Sequence, residues 1–368
     1  MSPSPTRAPA RHPPAPFPGS EQDRPSAAPG VPQPTTRLAP SPTGALHLGN
    51  ARTFLINWAL ARRLGWRIVL RIEDLDTPRT KPGSTESIIS TLRWLGIEWD
   101  APAAAPHAEP LVQSADLRAY RAAMRTLASR GLAYPCALTR AQVEAAASAP
   151  QEGAHDTPFP VALRPASATT PLDFDAAQDA AVASGSEHAN WRLIVPHGPV
   201  EFNDHIAGPR SFDPSEIIGD FVLWTKRDQP SYQLAVVVDD HRQGVTHVVR
   251  GDDLLDSAAR QILLYRALDL ADTPPGIPAY WHLPLVLGED GRRLAKRHGD
   301  TRLDRYRDAG VPVEAVIGLL AQWSIPGIRS RTRMSTEEFR SAFDPTTLPR
   351  TPVTFTDKDD RWLLEQSR

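Results

Sequence analysis

The chain reads as an α/β protein: a Rossmann-like parallel sheet, interrupted by an α+β insertion and closed by a helical C-terminal stub. Three observations predict this. Strand and helix patterns alternate from Arg37 to Leu95, the order of a βαβ unit. The same alternation resumes near Phe221, after a stretch rich in Pro, Ala and Ser. From Leu303 onward the pattern is helical. A length of 368 residues leaves room for two or three domains and an ample core.

Residues 1–36 hold almost no large apolar side chains, so they cannot bury enough surface to offset the entropy of ordering, and they read as a disordered extension. Arg7, Arg11, His12 and Arg24 lie there, but acidic residues offset them, which disfavours an RNA-tethering arm. The first half of the sheet domain spans 37–116. Its opening strand runs into the Pro40–Gly44 turn, and a helix starts near Gly49 with Phe54, Leu55, Trp58, Ala59 and Leu60 for its buried side. Arg67–Ile72 is a parallel core strand, and Ser84–Leu95 is a second helix introduced by Pro82-Gly83.

Residues 117–220 form the predicted insertion. It carries a helix over Leu117–Ser129, a capping-box pattern at Thr139–Gln142, and strands at Trp191–Val195 and Val200–Phe202. The second half of the sheet domain, 221–300, places strands at Phe221–Trp224, Val245–Val249 and Leu283–Leu287, a helix at Ser257–Leu268, and a basic loop at its end. Residues 301–368 give helices over Leu303–Asp308 and Pro312–Gln322 and one opened by the capping box Ser335–Glu338.

Composition excludes several function classes. A net charge of −2 gives no global attraction to polyanions, so a nucleic acid must meet a local basic patch. The single cysteine, Cys136, rules out an intramolecular disulfide and argues against an oxidising compartment. No apolar run approaches the ~20 residues of a membrane span, and the N-terminus has no apolar signal core. The expectation is a soluble cytoplasmic protein that touches no membrane.

Two distant stretches carry the chemistry. Arg37-Leu-Ala-Pro-Ser-Pro-Thr-Gly-Ala-Leu-His-Leu-Gly-Asn-Ala-Arg52 sets a Pro/Gly turn, a histidine and a glycine directly before a helix. Arg292-Arg-Leu-Ala-Lys-Arg-His-Gly-Asp300 is a basic loop whose lysine reaches toward a polyphosphate. Gly49 lets backbone and phosphate approach closely, and the helix behind it adds its positive N-terminal end. At the strand ends, Glu73 follows Arg67–Ile72 and Arg250 precedes Gly251, two charges of opposite sign suited to a zwitterion. Asp239-Asp240-His241 matches no standard metal-ligand spacing.

These blocks, with Arg71–Arg79, Tyr232–His241 and Val248–Asp252, resemble the glutamyl branch of the class I aminoacyl-tRNA synthetases, over roughly Arg37 to Leu364. His47-Leu-Gly-Asn50 stands at the family's "HIGH" tetrapeptide, with Asn50 in place of the second histidine, and Arg293–Arg297 stands at its "KMSKS" loop. Within the branch the chain is similar to the truncated glutamyl-queuosine tRNA(Asp) synthetases, which lack an anticodon-binding domain.

The resemblance implies the following assignments. His47, Asn50 and Lys296 are catalytic; Arg37, Ser41, Glu73, Tyr232 and Arg250 bind L-glutamate, with Glu73 on its ammonium; His47, Gly49, Asp252 and Lys296 bind ATP. ATP enters as a substrate with Mg2+, and no resident metal is expected. The structural zinc of the subfamily uses a Cys-x-Cys pair, and Leu138 stands at its second position here, with only His155 nearby, so none is expected. The partners implied are L-glutamate, ATP and the anticodon loop of tRNA(Asp) bearing queuosine, acted on by a monomer. The rivals are a minimal synthetase charging the 3′ end of tRNA(Glu) or tRNA(Gln), a non-catalytic paralogue binding glutamate or tRNA, and a small-molecule ligase of the same superfamily. The stop at Arg368 argues against the first and the set His47, Glu73, Arg250 and Lys296 against the second.

Overall fold

The computed structural model describes residues 33–101, 110–146, 158–185, 187–294 and 300–367. The chain opens with strand β1 (Thr35–Leu38), helix α1 (Leu48–Leu64), β2 (Arg67–Ile72), α2 (Ser84–Trp94) and the short β3 (Leu111–Val112). Next come α3 (Arg118–Ser129), β4 (Ala133–Cys136), α4 (Arg140–Ala146), α5 (Phe174–Ala183), β5 (Asn190–Leu193), β6 (Val200–Asp204), β7 (Gly208–Phe212) and α6 (Pro214–Ile217). They are followed by β8 (Val222–Thr225), β9 (Gln229–Pro230), α7 (Tyr232–Arg242), β10 (His247–Gly251), α8 (Leu255–Ala267), β11 (Ala279–Leu283) and β12 (Val286–Leu287). The remainder is α9 (Leu303–Asp308), α10 (Val313–Ser324), α11 (Thr336–Ala342), β13 (Val353–Thr354) and α12 (Asp357–Glu365).

Strands β1, β2 and β3 pair in parallel, and β10, β11 and β6 do likewise. The two groups meet where Thr246 N–H donates to the Thr35 carbonyl at 2.9 Å. Moving outward from this seam, the sheet runs to β2 on one side and to β11 on the other. A reversal of strand order of this kind opens a crevice at the carboxyl ends of the strands. Residue parity along β2 then assigns faces: Ile68, Leu70 and Ile72 pack with α1 and α10, whereas Val69 joins the opposite core with α3, α7 and α8. Arg71 shares Val69's parity and so meets α7.

Helix α1 is bounded by its own sequence. His47 caps its N-terminus, and Gly65 ends it in the left-handed region at φ 72°. A separate antiparallel sheet, β4-β5-β8-β9, carries the middle of the chain, with Phe174 edge-on to both Trp191 and Trp224.

The structure redraws several boundaries. Strand β1 begins at Thr35, two residues inside the segment assigned to the extension; residues 1–32 lie outside the described residues. Phe221–Trp224, read as the return of the parallel sheet, is antiparallel β8 with Trp224 opposite Trp191. An apolar run of four fits a buried strand of either kind, and only its partner decides. Conversely β6, read as insertion, extends the main sheet through Asp204 against Tyr280. The strand placed at Leu283–Leu287 splits at Pro284, and its longer part lies upstream as Ala279–Leu283.

Candidate active site

The crevice at the strand ends is a cleft of about 610 Å³. Arg37, Ser41, His47, Gly49, Asn50, Glu73, Tyr232 and Arg250 all line it, although they come from four distant parts of the chain. Asp252 does not; its neighbour Asp253 does. The turn after β10 aims Asp253 at Arg293, which it pairs with, while Asp252 acts electrostatically on the buried Arg52. Lys296 and Arg297 lie outside the described residues.

The flanks of that basic segment are firmly placed. On one side Leu294 N–H donates to the Val286 carbonyl at 3.0 Å. On the other, Leu48 N–H donates to Thr301 O at 3.1 Å and Leu303 N–H to Leu46 O at 2.8 Å. The turn before α1 and the end of the basic segment are therefore one backbone construction.

His47 does two things at once. Its Nδ1 accepts the backbone N–H of Gly49 at 3.1 Å and of Asn50 at 3.4 Å, capping the helix. A nitrogen that accepts carries no proton, so a neutral ring holds its proton on Nε2 as a donor. Burial, with Arg293 adding to it, brings the imidazole pKa down to about 4, so the ring is neutral at pH 7. Asn50 completes the cap, its Oδ1 accepting the His47 N–H at 3.3 Å. Gly49 leaves room for the ring: a Cβ at this position would stand 3.0 Å from Cε1 of His47, which would have to shift by a few tenths of an ångström.

Glu73 follows β2, and Arg71 donates to its Oε1 at 3.0 and 3.2 Å. Its Oε2 has no hydrogen-bond partner among the described residues. Burial pushes the carboxyl pKa up, and Arg71 and Arg37 only partly offset this, so the site favours an added cation. Glu73 and Arg250 do not pair with each other; Glu73 pairs with Arg71, and Arg250 donates to His282, Gln261 and Leu254. Arg37 donates to the Val249 carbonyl at 3.2 Å and lies 3.4 Å from Asp240. Tyr232 opens α7 and is 39% exposed, its ring on the cleft wall.

Arg250 is held by neutral groups. Its Nε donates to His282 Nε2 at 3.0 Å, Nη1 to Gln261 Oε1 at 2.9 Å and Nη2 to the Leu254 carbonyl at 3.2 Å, with the Tyr280 ring 5.5 Å away. His282 Nδ1 in turn lies 2.6 Å from Asp204 Oδ2, which fixes the tautomer that leaves Nε2 free to accept. Burial, aided by Arg250, lowers the His282 pKa against the pull of Asp204.

Sequence reasoning missed this supporting set: Asp204, His282, Gln261 and the α7 pair Asp239 and Asp240. The Asp239-Asp240 dipeptide was visible in the sequence but read as a metal question. The structure gives both as counterions of Arg71, at 3.8 and 2.7 Å. Among the described residues no group of three or more His, Cys, Asp or Glu side chains is placed to hold a metal ion. Cys136 is buried with Tyr134, Val143, Phe159 and Ala168. No helix among the described residues is long and apolar enough to cross a membrane.

Over residues 33–362 the chain matches the family described as tRNA synthetases class I (E and Q), catalytic domain. It is 45% identical over 321 residues to the glutamyl-Q tRNA(Asp) synthetase of Symbiobacterium thermophilum, which spans 86% of this chain and 94% of that protein. The glutamate–tRNA ligase of Parasynechococcus marenigrum is 39% identical over 299 residues, but the match covers 79% of this chain and 58% of the ligase. A solved glutamate tRNA ligase from Elizabethkingia meningosepticum, in complex with its amino acid, superposes with a TM-score of 0.71 at 28% identity, over 90% of this chain and 68% of that one.

Proposed function

The chain belongs to the class I tRNA synthetases for glutamate and glutamine, and from that membership we propose that it activates L-glutamate with ATP and transfers it to the queuosine of tRNA(Asp). The observation that carries the reading is the cleft itself, which gathers an uncompensated guanidinium, a half-occupied carboxylate and a neutral histidine donor around one space.

The chemistry is two displacements. An oxygen of the glutamate α-carboxylate attacks the α-phosphorus of ATP, the bond to the β-phosphate breaks, and pyrophosphate leaves with Mg2+. A hydroxyl of the queuosine cyclopentenediol then attacks the acyl carbon of the adenylate. An ester forms, AMP departs, and the hydroxyl proton passes to the medium. Neither step asks for a covalent bond to protein; position and charge lower the barrier.

Arg250, Arg37, Ser41 and Tyr232 receive the carboxylates of glutamate, and Glu73 Oε2 receives its ammonium. His47 Nε2–H donates to a phosphate oxygen at the glycine-lined end of the cleft, beside Gly49, with Asn50 holding the turn. Lys296, by its place in the sequence, neutralises charge on the departing pyrophosphate. Asp253 and Arg293 take the position first assigned to Asp252. The reading takes the chain to act as a monomer, and a tRNA substrate supports a cytoplasmic setting.

The higher identity to a glutamyl-Q tRNA(Asp) synthetase, 45% against 39% to a glutamate–tRNA ligase, favours the anticodon-loop acceptor over the 3′ end. The test is transfer of labelled glutamate, with ATP, to tRNA(Asp) carrying queuosine or unmodified guanosine, beside tRNA(Glu). Label on the queuosine form alone is expected, and Arg250→Gln should weaken it at least about thirtyfold. Label on tRNA(Glu) would overturn the acceptor assignment.

A further inference from the structure

A second chamber of about 440 Å³ adjoins the cleft and shares the wall formed by Ser41, Glu73 and Tyr232. A nucleophile in it would face the acyl end of an adenylate held in the cleft. Lys226 and Arg227, in the turn between β8 and β9, also line it, and neither has an ion-pair partner among the described residues. Such cations suit the phosphates of a nucleic acid.

The remaining polar lining is largely committed. Gln113 donates to Asp239 at 2.6 Å, Asn190 accepts the Lys226 N–H at 2.9 Å, and Glu73 is bound through Oε1 by Arg71. Asp76 differs. Among the described residues its carboxylate makes no hydrogen bond, and its one ion pair there, 3.4 Å to Arg79, is between side chains 44% and 77% exposed. Such a pair is worth little and is easily exchanged.

We propose that this chamber receives the substituent of the modified base and that Asp76 is the carboxylate that pairs with its ammonium. The inference rests on the acceptor assigned above. The cyclopentenediol of queuosine is joined to the base through a secondary amine, which is protonated at neutral pH. Unmodified guanine lacks both groups. A carboxylate beside the reacting hydroxyl therefore reads the feature that separates substrate from precursor, while Lys226 and Arg227 hold the backbone without reading it.

The experiment uses the full chain with Asp76→Asn, Asp76→Glu and the double variant Lys226→Gln/Arg227→Gln. For queuosine tRNA(Asp), Asp76→Asn should raise KM about tenfold, with partial rescue by Asp76→Glu, since a charged hydrogen bond is lost in the first and kept in the second. A sharper readout is inhibition by tRNA(Asp) whose wobble base carries an aminomethyl group without the diol. It should inhibit the wild type more strongly than guanosine tRNA(Asp) does, and Asp76→Asn should erase the difference. The double variant should weaken binding of all three tRNAs alike. An unchanged KM and unchanged inhibition ratio in Asp76→Asn would overturn the assignment, whatever the double variant does. Wild-type enzyme that exchanges pyrophosphate yet labels no queuosine tRNA would instead overturn the acceptor reading beneath it.

Discussion

Arg71 and Arg250 are both buried arginines near the carboxyl ends of strands in the same sheet, β2 and β10, with β1 between them, yet their surroundings are opposite. Arg71 is ringed by Glu73, Asp240 and Asp239 at 3.0, 2.7 and 3.8 Å. Burial works against its charge, but the three carboxylates outweigh this and push its pKa up. Arg250 meets an imidazole, an amide, a carbonyl and a ring face, none of them charged. Asp204 stands behind His282 and holds that ring rather than pairing with the guanidinium. A guanidinium whose charge is already balanced belongs to the scaffold, whereas one held rigidly by neutral acceptors keeps its charge for a ligand. Arg52 lies between the two: its acceptors are Ser324 Oγ, Pro284 O and Trp323 O, and burial brings its pKa down to about 10 while Asp252 pulls it back.

The largest test of this contrast removes each cation. Arg71→Met leaves three buried carboxylates facing one another, and stability should fall by about 3–5 kcal/mol, measured by denaturant unfolding. Arg250→Gln removes a charge that has no buried counterion, so the midpoint of unfolding should move far less. Its kcat/KM for glutamate in pyrophosphate exchange should instead fall at least about thirtyfold, the cost of unpairing a buried charged contact. Equal losses of stability in the two variants would break the contrast.

The sequence made one side of it legible and hid the other. Arg250 and Glu73 were found because each sits at the end of an apolar strand, and His47 because a turn and a helix-forming run surround it. The first cue survives in the structure as β10 and β2, the second as the capped start of α1. What holds Arg250 was invisible. Asp204 lies 78 residues from His282, and they meet only because β6 joins the edge of β11. No local pattern announces such a pairing. For the same reason β8 was assigned to the wrong sheet, since the choice rests on Trp191, far upstream. Asp239 and Asp240 were conspicuous as a pair, but their partner Arg71 comes from a strand separated by more than half the domain.

The neutral grip makes acid its weak point. His47 and His247 are brought down to about 4, and His205 and His282 are also lowered, each with burial as the largest cause. The sign follows from proton counting. Between pH 6.5 and about 4 the His47 and His247 rings are charged when unfolded and neutral when folded, so the unfolded state binds more protons and stability falls as pH falls; His205 and His282 act in the same direction. For His247, which stacks on Trp66 at 3.9 Å outside the cleft, the loss between pH 7 and 5 should be about 2 kcal/mol. Glu73 and Asp239 have raised pKa values and act in the opposite sense, so the whole-protein slope mixes both. The difference in slope between wild type and His247→Gln isolates the histidine. A parallel pair of curves would contradict a neutral buried ring.

The smallest expected effect is the most specific to Arg250. Asp204 touches no substrate; it accepts the Nδ1 proton of His282 and the backbone N–H groups of Ile206 and Ala207 at 2.9 and 2.7 Å. Asp204→Asn keeps the size but lets the amide present a donor to the ring, which frees His282 to take the other tautomer. Nε2 would then carry a proton toward the Arg250 Nε–H, and the guanidinium would turn away from its present position. KM for glutamate should rise about tenfold, the value of one charge-assisted hydrogen bond, while KM for ATP stays as it was. Nitrogen chemical shifts of labelled histidine give an independent reading: His282 should report a proton on Nδ1 in the wild type and a mixture in the variant. A loss shared equally between glutamate and ATP would mark Asp204 as a general strut of the sheet edge rather than the support of one arginine.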